Sequence, residues 1–446
     1  MSNTRVLDSA VPGVSHGAGV RPQSEDTLYR KVFRKLIPLL FFSYVMSYLD
    51  RINVGFAKLQ MLNDLSFSET VYGLGAGVFF LGYFLFEVPS NLVLHRVGAR
   101  VWIARIMITW GALSAAMMFV KTPTSFYVLR FLLGVAEAGF FPGIVLYLTY
   151  FIPPSRLGKA LALFFLAVPA AGVLGGPLSG WLLESFHQVG SLQGWQWMFL
   201  IEGIPSVILG IVVLVVLRDR IKDAHWLTEQ EKSTLAANIE RESQRTIGAS
   251  VRDAFTQPLV WVLCLIEFCI GLGIYGMGFW MPTMVREAGI TGLLNIGLFS
   301  AIPYGAAAIA MVYVARLADA RGDRKLFLAL AALAGAVGLY LSMSHKDNTF
   351  FAIAALTVAT AGILTAFAQF WRLPTVLLSD RAAAAGIAII SSVANLSGFV
   401  SPYLVGWLRD TTGSGSAGMY MTAGSLVLAA VVTVLLPSRL VNEKVG

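Results

Sequence analysis

Four charged residues stand inside otherwise apolar stretches of the chain: Asp50, Arg51, Arg130 and Glu137. Charges are rare in such surroundings because burying them is costly, so they are expected to have a function where a chain crosses a membrane. Arginine keeps its charge and presents a planar set of N–H donors to a carboxylate. Burial favours the neutral form of a glutamate, whereas a nearby arginine favours its ionised form. These residues therefore predict a site that handles an anion and a proton.

The spacing of the charged residues is compatible with a shared cavity. Arg130 and Glu137 are seven residues apart, and seven helical steps of about 100° return to nearly the same face. Tyr48 precedes Arg51 by about one turn. A structural alternative stays open, in which the four charges form ion pairs that only hold two helices together.

The elements that must position these residues are apolar segments. Hydrophobic residues make up 57% of the chain and charged residues 13%, whereas soluble domains carry about 25% charged residues. A helix of about 20 apolar residues crosses the hydrocarbon core of a bilayer. Such segments lie near 35–57, 71–94, 101–120, 124–150, 159–182, 197–217, 258–282, 293–315, 325–344, 350–371, 382–408 and 418–437. We expect an all-α membrane protein with twelve transmembrane helices in two six-helix bundles.

The polar segments divide the chain around these bundles. The expected organisation is a disordered cytoplasmic N-terminal tail at 1–30, a first six-helix bundle at 31–217, a cytoplasmic linker with a short helix at 218–256, and a second six-helix bundle with a tail at 257–446. Thr228 and Glu231 have the spacing of a capping box that opens the linker helix.

The basic residues predict the orientation. Lys and Arg concentrate in the N-terminal tail, the linker and the turns on the same side of the membrane, and such loops face the cytoplasm. Both termini are therefore expected in the cytoplasm of a multi-pass protein of the cell inner membrane. Because the basic residues are spread over short loops, the net charge of +8 does not indicate nucleic-acid binding.

The two halves repeat each other. A Gly-containing basic turn follows the second segment of each half, at 91–100 and 315–325. The fifth segment carries a Gly-rich stretch at 172–180 that allows close helix packing, and Gly398, Pro402 and Gly406 echo it in part. Parallel repeats of this kind are typical of transporters built from two halves.

Several motifs together carry a family resemblance. They lie at 48–53, 87–91, 130–139, 226–228, 275–276, 279–282, 370–371 and 395–398. With these motifs the chain resembles the major facilitator superfamily and, within it, the anion:cation symporter family over about 30–440. That family includes carriers of tartrate, phthalate, sugar acids and other organic anions.

The resemblance implies roles for the charged residues. Arg51 is expected to meet the anionic group of the substrate, and Glu137 and Asp50 to take up and release protons. Arg130 is implied as the partner that tunes these carboxylates. The remaining residues expected to line the substrate cavity by resemblance are Tyr48, Tyr83, Tyr275, Trp371 and Asn395.

Two features depart from the usual family pattern. Glu267 stands in the seventh segment where an aromatic or apolar residue is usual, and Gln369 and Arg372 flank Phe370 and Trp371. Arg372 either extends to the membrane interface or, with Gln369, forms a second anchor suited to a dianion. Glu267 could then serve only to neutralise Arg372.

The predicted function is secondary active import of a small organic anion by proton-coupled symport with alternating access. The anion would be a carboxylate such as a sugar acid, tartrate or an aromatic acid, or a sulfonate; the choice between proton and sodium stays open. The alternative is an exchanger or uniporter without proton coupling. No P-loop or HExxH motif supports an enzyme or an ATP-driven pump, and Cys264 and Cys269 lack metal-ligand spacing. We expect a monomer in the lipid bilayer that needs no cofactor or metal.

Overall fold

The computed structural model describes residues 22–243, 256–371, 373–374 and 380–437. These residues fold almost entirely into α-helices. The helices are α1 Pro22–Ile52, α2 Val54–Leu65, α3 Glu69–Val97, α4 Ala99–Ala116, α5 Pro123–Glu137, α6 Phe140–Thr149, α7 Pro154–Phe165, α8 Ala167–Ser185, α9 Gly194–Val216, α10 Glu229–Ser243, α11 Pro258–Glu287, α12 Leu293–Arg321, α13 Arg324–Ser344, α14 Thr349–Phe370, α15 Asp380–Thr412 and α16 Ala417–Leu435.

Twelve helical segments of the described chain are long and apolar enough to cross a membrane. Three of them consist of two helices in line, namely α1 with α2, α5 with α6, and α7 with α8. The number of spans and their places along the chain confirm the prediction, and the chain is a multi-pass membrane protein.

Helix α1 begins at Pro22, inside the segment that the sequence predicts to be disordered. Leu28 and Tyr29 are buried, and Asn238 of the linker helix donates a hydrogen bond of 3.1 Å to the Tyr29 hydroxyl. The predicted disorder is therefore wrong for residues 22–30, because a contact with a distant segment orders them. Residues 1–21 lie outside the described part of the chain.

The linker helix α10 begins with the predicted capping box. Thr228 Oγ1 accepts from the Glu231 N–H at 3.2 Å, and Glu231 Oε2 accepts from the Thr228 N–H at 2.8 Å. Lys31 donates to the same carboxylate at 2.7 Å, and Glu242 accepts from the Ser155 N–H at 3.0 Å. The Lys31 ammonium group, followed by the Thr228 N–H, holds the pKa of Glu231 below its ordinary value. These contacts dock α10 on the first bundle.

Each of the two basic turns reverses the chain at a glycine with a positive φ, as the sequence predicts. Gly98 ends α3 with a φ of 97°, and Gly322 ends α12 with a φ of 67°, a region that favours glycine. We call the side of the protein that carries these turns and α10 the linker side, and the opposite side the far side.

The halves pack through α3 against α15, α8 against α12, and α2 against α11. Close approach depends on small residues. A Cβ atom added to Gly176 of α8 would lie 2.6 Å from the carbonyl oxygen of Gly297 in α12. The Gly-rich stretch thus provides the close packing that its composition predicts.

Candidate functional site

A cavity of about 80 Å³ lies between the two halves. The first half contributes Arg51, Tyr83 and Glu87 among its polar lining residues, and the second half contributes Glu267, Tyr275 and Asn395. Aromatic rings complete the wall towards the linker side, where Phe165 of α7 and Phe367 of α14 meet with ring centroids 5.8 Å apart. The cavity therefore combines charged, amide and phenol groups within an apolar frame.

Arg51 lies in the last turn of α1, where a cation is favoured by the helix dipole. Its guanidinium group forms a buried ion pair with Glu137. The guanidinium carbon lies 5.2 Å from the ring centroid of Phe79 and 5.5 Å from that of Tyr83. The Arg51 Nε–H finds no acceptor among the described residues, so the guanidinium retains a free donor beside the cavity.

Glu137 is the last residue of α5, where the span breaks before α6. Gly139 makes this break with a φ of 86°, a conformation that costs glycine little. Glu137 Oε1 accepts from Ser47 Oγ at 2.7 Å and from Arg51. Its Oε2 atom is buried and has no hydrogen-bond partner in the described chain.

Asp50 does not join Arg51 and Glu137. Its carboxylate accepts from Ser206 Oγ at 2.6 Å, from Ser114 Oγ at 2.7 Å and from Trp110 Nε1 at 3.1 Å. Neighbouring residues on a helix point about 100° apart, so Asp50 faces α4 and α9 while Arg51 faces the cavity. The expectation that these acids share one site is wrong in this respect.

Glu202 of α9 is a buried acid that the sequence interpretation overlooked. Its carboxylate accepts from Ser179 Oγ at 2.7 Å and from Asn53 Nδ2 at 3.1 Å. A lone glutamate inside the apolar segment at 197–217 was the signal that could have found it. Glu202 lies near Asp50, away from the cavity lining.

Arg130 is completely buried in α5 but forms no ion pair with a carboxylate of the described residues. Its Nε donates to the carbonyl oxygen of Gly75 at 3.3 Å, and its Nη2 donates to that of Ala76 at 3.4 Å. The guanidinium carbon also lies 5.1 Å from the Phe79 ring centroid. Arg130 therefore makes no direct ion pair with a described acid, because two of its donors serve the backbone of α3. Its expected role of tuning the carboxylates of Glu137 and Asp50 stays a prediction.

Most of the aromatic and amide residues predicted for the cavity do line it. Tyr83, Tyr275, Trp371 and Asn395 face it, and Trp371 Nε1 has no hydrogen-bond acceptor among the described residues. Tyr48 instead lies beside the site, with its ring centroid 5.9 Å from the Arg51 guanidinium carbon.

The positions that depart from the family pattern have different environments. Glu267 lines the cavity, is 1% exposed, and has no described partner for its Oε2 atom. Gln369 is equally buried but is not among the residues that line the cavity. Neither its Nε2 nor its Oε1 atom has a hydrogen-bond partner among the described residues. Arg372 lies outside the described residues, and so does its expected pairing with Glu267.

Two further cavity residues were not predicted as ligands. Glu87 follows Tyr83 by one helical turn on α3, and Tyr44 stacks on Phe164 with ring centroids 4.3 Å apart. The helical spacing of four residues between Tyr83 and Glu87 was a usable signal, because such residues share a face.

Polar contacts between the halves close the far side. Lys58 of α2 donates to Thr283 Oγ1 of α11 at 3.1 Å and pairs with Glu69 at 2.7 Å. Its ammonium nitrogen lies 3.8 Å from the ring centroid of Trp280. Asp410 of α15 accepts from the Thr70 N–H at 2.8 Å. The cavity is thus shut off from the far side by contacts that could break without unfolding either bundle.

Comparison with known proteins decides the family. A sequence profile described as Major Facilitator Superfamily matches residues 40–402. The chain belongs to the Major Facilitator Superfamily. It is a membrane transporter of this superfamily, as the motifs predict.

Relatives of nearly equal length support this assignment. The chain is 47% identical over 418 residues to a provisionally named metabolite transport protein, NicT, of Pseudomonas putida, covering 93% of this chain and 96% of the relative. It is 47% identical over 414 residues to a provisionally named tartrate transporter of Agrobacterium vitis, covering 92% of each. Both similarities extend through the two bundles.

A solved structure shows the same fold. The xylose transporter XylE of E. coli, in a partially occluded inward open conformation, matches with a TM-score of 0.72 and 14% sequence identity. The match covers 91% of this chain and 98% of that one. This confirms the major facilitator fold with two six-helix bundles.

Proposed function

We propose that the transporter imports a small organic anion together with a proton. The observation that carries the proposal is the Arg51–Glu137 pair, whose guanidinium group stands at the cavity wall and retains a free N–H donor. Arginine suits a carboxylate because two parallel N–H donors can face two oxygens. A relative that is provisionally named a tartrate transporter supports the choice of an organic anion.

Competition for the guanidinium group would couple the anion to the proton. Glu137 neutralises Arg51 through their ion pair. A substrate carboxylate that approaches the same cation brings a second negative charge into a buried place, which is costly. A proton on Glu137 removes that excess charge and leaves the guanidinium to the substrate. The anion and the proton therefore bind best together. When either one dissociates, the affinity of the site for the other falls.

Alternating access would expose this site to each side in turn. On the far side, the contacts of Lys58 with Thr283 and of Thr70 with Asp410 join the two halves. We propose that they open while the halves approach each other on the linker side, where Phe165 and Phe367 already touch. Rocking of two bundles around a central site is the usual behaviour of transporters built from repeats.

The cellular arrangement is proposed on the same physical grounds. The basic linker side would face the cytoplasm with both termini, and the far side would face the outside of the inner membrane. The domain boundaries of the two bundles, the short-helix linker and a monomeric state belong to this proposal.

An exchanger or uniporter is the competing function, because anions alone could displace Glu137 from Arg51. Uptake of radiolabelled tartrate, with gluconate and an aromatic carboxylate as further probes, is measured in proteoliposomes with and without an imposed pH gradient. Symport predicts accumulation against a concentration gradient when the outside is acidic, and its loss when a protonophore is added. Uptake that requires preloaded anion and ignores the pH gradient would establish exchange instead.

A further inference from the structure

The fifth spans of the two halves end on the far side in nearly the same short sequence. The span formed by α7 and α8 ends with Gly-Trp-Leu-Leu-Glu at 180–184, and α15 ends with Gly-Trp-Leu-Arg-Asp at 406–410. In each sequence an acid follows a glycine by four residues, so the two residues share a helix face and lie about one turn apart. The two halves therefore carry the same glycine–acid motif at equivalent places.

The glycine of each motif brings two helices of different halves into contact. A Cβ atom added to Gly406 would lie 2.3 Å from the carbonyl oxygen of Glu69, the first residue of α3. A Cβ atom added to Gly180 would lie 2.4 Å from the carbonyl oxygen of Leu293, the first residue of α12. Helices α3 and α12 are the second spans of their halves. Each fifth span thus meets the second span of the other half at the same point.

The acid of each motif accepts a hydrogen bond from the same place on the opposing helix. Asp410 accepts from the Thr70 N–H at 2.8 Å, and Glu184 accepts from the Leu294 N–H at 2.9 Å. Thr70 and Leu294 are the second residues of α3 and α12, whose N–H groups have no partner within their own helix. A carboxylate at this end of a helix is also favoured by the helix dipole. We call these two contacts the cross-half caps.

The cross-half caps differ from other polar contacts on the far side because both need the two halves to be close together. Separation of the halves on this side would break both caps and expose their donors and acceptors to water, without unfolding either bundle. By contrast, Asp64 of α2 accepts from Trp195 Nε1 of α9 at 3.0 Å. That bond lies within the first half and would survive the separation. The cross-half caps therefore bias the equilibrium between a closed and an open far side.

We infer that Glu184 and Asp410 set the resting orientation of the transporter and, through it, the apparent affinity for the anion outside. An anion outside reaches the cavity only while the far side is open. Its apparent Kd is then the intrinsic Kd divided by the open fraction, and the cross-half caps lower that fraction. Both acids are positioning residues that act without contact to the substrate. The inference rests on the alternating access of the proposed function but not on the identity of the anion.

The distance between the halves on the far side is the first measurement. Spin labels are attached at Lys121→Cys of the first half and Lys346→Cys of the second half, two exposed positions on this side. Cys264 and Cys269 are replaced by alanine, and pulsed electron paramagnetic resonance gives the distance distribution of the full-length protein in nanodiscs. Longer distances report an open far side.

Loss of either cap should move this distribution towards the open form. Asp410→Ala and Glu184→Ala are each expected to raise the ratio of open to closed protein about threefold, and the double variant about tenfold. Asp410→Asn and Glu184→Gln keep an acceptor oxygen and lose the charge, so each should have a smaller effect than alanine. Asp64→Asn is the matched control and should leave the wild-type distribution unchanged.

Uptake kinetics show whether the shift reaches the transport cycle. With labelled tartrate outside proteoliposomes, the KM for uptake should fall by about the factor by which the open-to-closed ratio rises. The KM for efflux of tartrate from inside should not fall. Damage to the fold would instead lower kcat or raise both KM values, so the direction of the change separates the two explanations.

The inference is overturned if the double alanine variant keeps the wild-type distance distribution, or if Asp64→Asn shifts it as far. If the double alanine variant does not fold, the combination of Asp410→Asn with Glu184→Gln decides in the same way. Failure of the proposed function is distinguishable: a protein that takes up no tartrate or other organic anion contradicts that function, while the distance measurement still tests the cross-half caps.

Discussion

The buried acids of the two halves are equally hidden from solvent but differ in their partners. Asp50 and Glu202 of the first half are 1% and 2% exposed, and Asp50 accepts three hydrogen bonds from its neighbours. Glu267 of the second half is 1% exposed and accepts none at Oε2 from the described residues. Burial alone therefore does not identify a ligand-binding group in this protein.

The difference separates acids that hold helices together from groups that line the cavity. Away from the cavity, Asp50 joins α1 to α4 and α9, and Glu202 joins α9 to α8. Among the cavity-lining residues, buried atoms without a described hydrogen-bond partner occur on Arg51, Glu87, Glu267 and Trp371. The first set indicates a structural scaffold, and the second set indicates a surface suited to substrate and proton.

The substitution Arg51→Ala should have the largest effect, which is a loss of anion uptake. Loss of two charge-assisted hydrogen bonds to the substrate, each contributing about 2 kcal/mol, is expected to reduce uptake roughly 1,000-fold. Arg51→Lys should recover only part of the loss, because an ammonium group cannot present a planar fork. If Arg51→Ala proteoliposomes take up the anion within about twofold of the wild-type level, Arg51 is not the anion ligand.

Asp50→Ala should mainly affect stability. It leaves the donors of Trp110, Ser114 and Ser206 without their acceptor, at a cost of about 3 kcal/mol. The apparent melting temperature in detergent should fall by several degrees, and Asp50→Asn should fall less because it retains one acceptor oxygen. If Asp50→Asn is as stable as wild type but loses uptake driven by a pH gradient, Asp50 carries a proton after all.

Gly176→Ala tests the contact that joins the halves. The new methyl group would meet the carbonyl oxygen of Gly297 at 2.6 Å, and such overpacking costs about 2 kcal/mol. We expect slower transport because the far side can no longer close fully. Gly424→Ala is the matched control, since nothing lies within 4 Å of its added Cβ atom. Equal transport rates for both variants would show that the close contact between Gly176 and Gly297 is not required for transport.

Gln369→Leu should have the smallest effect. Both amide atoms of Gln369 are buried without a described partner, so an apolar side chain of similar size should raise stability by about 1 kcal/mol or leave it unchanged. Uptake is expected to remain at the wild-type level. A folded Gln369→Leu protein that loses affinity for dianions would restore Gln369 as the second anchor suggested by its sequence context.

The sequence predicts the architecture well for a simple physical reason. Crossing a bilayer requires long apolar helices, so composition reveals the twelve spans. Charges within such spans are costly, so Arg51 and Glu137 stand out as functional candidates. The direction in which a side chain points from its helix is harder to predict. Asp50 and Arg51 are adjacent, and one helical step of about 100° sends them into different environments.

Contacts between distant segments explain the other differences. The donors that occupy Asp50 come from α4 and α9, and the acceptors of Arg130 come from the backbone of α3. No local pattern around Asp50 or Arg130 reveals these partners. The helix at 22–30 is likewise ordered by the linker helix α10, which lies far away in the chain.

The most direct test of the coupling between anion and proton compares two assays of Glu137→Gln. One assay measures counterflow, the exchange of labelled for unlabelled anion at equal pH, and the other measures accumulation driven by an imposed pH gradient. Because a glutamine side chain at this position resembles the protonated acid, we predict that the variant retains counterflow and loses driven accumulation. Accumulation at the wild-type level in Glu137→Gln would contradict the account.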